Sequence, residues 1–126
     1  MSILDLHEVL MNSDMASFGD SLLNFVYSLS ISRINGKFRG GRVRNKVLAE
    51  ALHRCGLRDF LSGKVDVHVK GDAVEALIAY AWISNKVSLD ELVNILSSNL
   101  RSNDFKDEVE AFSNLLRYVL VKIFEG

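Results

Sequence analysis

At 126 residues, 48% of them apolar, the chain is the length of one domain and carries enough apolar side chains to bury a core. A formal net charge of −1 and a pI near 6.3 exclude a generally basic nucleic-acid coat, so any surface for a polyanion is local. The single cysteine, Cys55, excludes an intramolecular disulfide framework and fits a reducing cytoplasm; no apolar run approaches the ~18 residues of a membrane span, and the first residues lack the basic head of a signal peptide.

In chain order, residues 2–12 place Ile3, Leu4, Leu6, Val9, Leu10 and Met11 at three-and-four spacing, which predicts a short amphipathic helix. Asn12-Ser13-Asp14 then offers a break and a cap. A longer helix is expected from about Met15 to Ile31, through Phe18, Leu22, Leu23, Phe25, Val26 and Leu29. It is apolar almost all round, which predicts a central position. Gly19 within it costs about 1 kcal/mol against alanine, a sign of close packing or of a nearby ligand. Asp20 follows directly.

Residues 33–46 hold Arg33, Lys37, Arg39, Arg42, Arg44 and Lys46 with no acid among them, around Gly36, Gly40 and Gly41. Glycines let a backbone come close to phosphate, and the cations supply counter-charge. The spacing excludes a Walker A loop. Two readings stay open, a solvated loop balancing acids elsewhere and a phosphate contact. Val43 to Cys55 reads as a helix closed by Gly56, with Val47, Leu48, Ala51 and Leu52 inward. Leu57 to Leu61 is a further short turn or helix, and residues 64–70 alternate like a strand, although a lone strand has nowhere to pair.

The next stretch, Gly71 to Trp82, is the one around which the chain is organised. It is apolar or small throughout except for Asp72 and Glu75, which stand three apart and so share a helix face. Carboxylates on a helix fit for the interior need a hydrogen bond, a partner or a metal. The same Asp-x-x-Glu also reads as a capping box, with Asp72 as the cap and the helix running from Asp72 to about Ser84. Ser88 caps a further helix through Leu96, and a last helix from Asp104 to Phe124 carries a broad apolar stripe, either a core lid or an oligomer contact. His7, His53 and His68 show no paired ligand spacing; Tyr27, Tyr80 and Trp82 read as packing groups.

Gly19-Asp20-Ser21-Leu22-Leu23, followed about fifty residues later by Asp72-Ala73-Val74-Glu75-Ala76-Leu77-Ile78, resembles the catalytic domain of the ribonuclease III family. Between them, Arg44-Asn45-Lys46-Val47-Leu48-Ala49-Glu50 running into Cys55-Gly56-Leu57 resembles the family's middle helix and turn. The resemblance covers about residues 15–100 and implies an all-α bundle of about six to seven helices. Residues 64–70 are accordingly expected as a loop or helix approach. The expected organisation is one domain over 1–126, without a double-stranded-RNA-binding module.

The resemblance further implies a Mg²⁺- or Mn²⁺-dependent endoribonuclease acting on double-stranded or structured RNA as a homodimer. Asp20, Asp72 and Glu75 would be the catalytic and metal-binding acids. Arg33, Lys37, Arg39, Arg42, Arg44 and Lys46 would meet RNA. Asn45 and Lys46 could position the site, and Glu50 is either a fourth acid or a surface glutamate. Where the family has a glutamate four residues before the signature aspartate, this chain has Ala16, as the compact Mini-III branch also has alanine. The alternative implied is an inactive RNA-binding or ribonucleoprotein-associated dimer.

Overall fold

Helix boundaries follow local chemistry throughout. The computed structural model describes residues 1–125; Gly126 and the side chains of Ile3 and Leu4 lie outside the described part. The described residues form six α-helices and no strand: α1 (Ile3–Leu10), α2 (Ser13–Asn35), α3 (Asn45–Arg54), α4 (Val67–Ile83), α5 (Leu89–Asn99) and α6 (Phe105–Phe124), with one 3₁₀ turn at Arg58–Phe60. Ser2 and Asp5 close a capping box on α1, and Ser88 and Glu91 close one on α5. Asn12 caps α2, which runs four residues past the expected Ile31 and stops at Gly36, held in the left-handed region with φ 71°.

The helix that carries Asp72 and Glu75 begins five residues earlier than expected, at Val67. Asp66 is its cap, the side chain accepting from the Val69 amide at 2.9 Å. The strand-like alternation before it therefore resolves into an approach and a first helical turn, and Asp72, already in the second turn, caps nothing. Downstream of Lys70 the helix is buried on nearly every side, from Gly71 to Ala81, as expected of a helix apolar all round. α1, α2, α3 and α6 all pack on it.

α2 departs from the expected central burial. One side packs on α4 and α5, while Phe18 and Phe25 are 45% and 51% exposed on the other. The apolar stripe of α6 belongs to the core: Val109, Phe112, Leu115, Leu116, Val119 and Ile123 are buried against α3, α5 and α4. No described helix is long and apolar enough to cross a membrane.

A candidate active site at the crossing of two helices

The site starts from a glycine. A Cβ added to Gly19 would lie 2.0 Å from the carbonyl oxygen of Glu75, so α2 and α4 approach backbone to backbone at this point. Only glycine permits that approach. It sets the next residue of α2, Asp20, against Glu75 of α4.

Asp20 stands half-exposed at the rim of the crossing. Asn24, one turn on, donates from Nδ2 to its Oδ1 at 3.1 Å, and Arg42 reaches its Oδ2 at 3.5 Å. Glu75 is only 6% exposed, and makes no ion pair among the described residues. Its burial, the hydrogen bond shared with Asp20 and the negative charges of Asp20 and Asp72 push its carboxyl up to about 8, with Arg42 opposing. Asp72 lies one turn before it on the outer side of α4. Partial burial holds its carboxyl above the usual range, the charges of Asp20 and Asp66 adding to the effect and His68 opposing it. Asp20 and Glu75 thus meet at the crossing, with Asp72 one helical turn away and near enough for its charge to act on Glu75. As their side chains stand, no set of three or more His, Cys, Asp or Glu among the described residues is arranged to hold a metal ion.

The basic segment lies along α2 in a fixed register. Asn24, Ser28 and Ser32, four residues apart, accept hydrogen bonds from the amides of Val43, Gly41 and Arg39 at 2.9, 3.0 and 2.8 Å. The hydroxyls of Ser28 and Ser32 in turn donate to the carbonyls of Gly41 and Arg39. Four helical residues advance about 6 Å and two extended residues about 6.6 Å, so the two periods nearly match over this length. Gly41 has a packing reason to be glycine, since a Cβ there would meet the Tyr27 ring at 2.8 Å.

The six predicted cations therefore separate. Arg42 alone is paired with a site acid. Arg44 is tied to buried Glu108 at 2.9 Å and to the Asn103 carbonyl, over the Phe105 ring, and Glu108 also accepts from the Tyr27 hydroxyl. Burial first, and then Glu108, push that hydroxyl well above its ordinary range. Arg33 donates to Asn94, while Lys37, Arg39 and Lys46 are exposed. Glu50 is an exposed α3 residue paired with Arg54, as its surface reading expected.

Asn24 and Glu108 escaped the sequence reading. Asn24 stands one helical turn from Asp20 and Glu108 at helical spacing from Phe112, so the periodicity was there to be read. Asn45 bonds His68 at 3.1 Å, and its Oδ1 closes on Gly71, where an added Cβ would sit 2.7 Å away. Phe18 stacks on Trp82 with centroids 5.8 Å apart, and Phe38, between Lys37 and Arg39, is 97% exposed.

The protein-family model described as Ribonuclease III matches residues 13–125, from the start of α2 to the end of α6. No curated protein matches the chain.

Proposed function

The chain belongs to the ribonuclease III family, and on that premise we propose that it is a Mg²⁺- or Mn²⁺-dependent endoribonuclease that hydrolyses phosphodiester bonds in double-stranded or structured RNA. The observation that carries this reading is the crossing at Gly19, which sets Asp20 and Glu75 together with Asp72 one turn away. Two carboxyls meeting at the crossing, one of them buried without an ion pair among the described residues, and a third one turn away offer oxygen donors of the kind a hard divalent ion takes. Mg²⁺ keeps several waters and takes only one or two carboxylates plus substrate phosphates, so a complete protein cage is not required of these residues. Asp20, Asp72 and Glu75 would hold the ion, which supplies a bound water of lowered pKa and neutralises charge building on the phosphate.

The chain's own residues have separable tasks. Glu75, at the floor of the site, would be an oxygen ligand of the cation in its ionised form. Asn24 orients Asp20 through its amide. Lys37, Arg39 and Lys46, exposed and without ion-pair partners among the described residues, supply counter-charge to RNA phosphates outside the acidic centre. The exposed Phe18 and Phe25, with half-buried Trp82 stacked on the first, support a two-fold dimer, with one site for each strand of an A-form duplex read largely by shape, phosphates and 2′-hydroxyls. Ala16, buried on α2, is in the style of the compact Mini-III branch and leaves one acid fewer for a second ion. It is also the observation that favours the second reading, a dimer that binds RNA without cutting it.

The test is incubation with long double-stranded RNA in Mg²⁺ or Mn²⁺, beside Glu75→Gln and a chelator control. Discrete cuts, lost in both controls, are expected. Retention of uncut RNA would instead support the binding dimer, and neither cutting nor binding would overturn both readings.

A further inference from the structure

Among the described residues Arg42 is the one cation that forms an ion pair with these acids, and its placement is built rather than incidental. The residues on either side of it, Gly41 and Val43, are pinned by their amides to Ser28 and Asn24 of α2. The pinned backbone holds the arginine at the level of Asp20, where its Nη2 stands 3.5 Å from Oδ2. The side chain is nevertheless 78% exposed. An ion pair so open to water is weakly held, and most of the guanidinium's donors remain free for a planar, bidentate oxyanion such as phosphate.

Two cations cannot share one carboxylate edge without repulsion. A divalent ion arriving among the acids therefore competes with Arg42 for Asp20. We propose that Arg42 is the counter-ion of Asp20 in the metal-free protein and, on giving up that carboxylate to a divalent cation, turns to a phosphate of the RNA strand, coupling metal and RNA binding through one side chain. The inference rests on the metal-dependent reading above and adds the means by which one ligand favours the other. Such coupling is reciprocal: metal frees the arginine for RNA, and RNA, by holding the arginine away, frees Asp20 for metal.

The experiment is a calorimetric Mn²⁺ titration of the full chain without RNA, comparing wild type with Arg42→Ala and Arg42→Gln, the second keeping the polar stem should the first disturb the loop. Both variants are expected to bind Mn²⁺ roughly threefold to tenfold more tightly, because a competing charge has gone. In Mn²⁺ both should hold duplex RNA more weakly, seen as a raised KM if the duplex is cut and as weaker retention if it is not. The salt slope should be shallower by about 0.7–0.9, one phosphate contact. A purely structural role for Arg42 predicts Mn²⁺ binding unchanged or weaker, and that result overturns the inference alone. Tighter Mn²⁺ with unchanged RNA affinity overturns the transfer to phosphate. No Mn²⁺ binding by any of the three proteins overturns the metal reading and this inference with it.

Discussion

Glu75 is a carboxyl group kept where water hardly reaches it, beside a second acid, and that arrangement has a cost in the metal-free protein. Its folded value is about 8 against an ordinary 4.5, so between those limits the native state binds a proton that the unfolded chain releases. Stability from the protonated form is complete below about 4.5 and is lost as pH rises through about 8. Asp72, also raised, contributes with the same sign. Glu75→Gln keeps the shape and a hydrogen-bonding amide but cannot ionise. In chelator it should match wild type near pH 5 and exceed it increasingly towards pH 8, by on the order of 1–3 kcal/mol. Thermal melts across that range, repeated with Mn²⁺ to narrow the gap, provide the check; a gap that does not grow with pH contradicts the account. That Asp72 and Glu75 share a helix face was legible from their spacing, whereas their grouping with Asp20 came from the family resemblance of the two motifs. The fate of Arg44 was legible in neither. Its partner Glu108 lies 64 residues away on a helix that only tertiary packing brings to it.

At the scale of elements, the crossing of α2 and α4 decides where the acids meet. An alanine methyl at Gly19 would strike the Glu75 carbonyl, and backbone cannot yield as a flexible side chain can. Gly19→Ala gains about 1 kcal/mol in helix propensity but must part the helices. A net loss of about 2–3 kcal/mol is expected, a fall in Tm of roughly 10 °C. Gly40, which has open space around its Cβ position, is the control: Gly40→Ala should stay within about 0.5 kcal/mol of wild type. Equal melting temperatures for the two variants would mean that the crossing is not tight. The same helices show what periodicity can and cannot locate. Apolar spacing predicts α2 and α4 and marks Gly19 as a place of close approach. It misplaces the start of α4, because Asp66 and Asp72 are both plausible caps and Val65, Val67 and Val69 alternate as strand residues do. The choice goes to Asp66 because the turn from Val67 to Lys70 gains helical hydrogen bonds, which no neighbouring strand could have supplied.

For the whole molecule, a formal charge of −1 means that attraction to RNA must come from how cations are distributed rather than from how many there are. The extended loop from Lys37 to Arg42 concentrates them on the α2 side, next to the acids. The outer face of α2 bears Phe18 and Phe25, seven residues and so two turns apart, with Trp82 stacked on the first and Ile83 58% exposed nearby in sequence. Large apolar side chains gathered at a surface mark an interaction site. In the proposed dimer it is the surface that the second copy covers. Phe25→Glu puts a charge there and leaves Asp20, Asp72 and Glu75 in place, at a position that shares a groove with Phe38, Arg39 and Gly40 of the loop. By sedimentation the variant should be monomeric at concentrations where wild type is dimeric, with helical circular dichroism retained and Mn²⁺ affinity within about twofold. Its cutting of long duplex RNA should fall at least tenfold, since a monomer presents one site to a substrate with two strands. A variant that stays dimeric would place the contact elsewhere. A monomeric wild type with full activity would remove the dimer from the mechanism and leave the site at the Gly19 crossing to act alone.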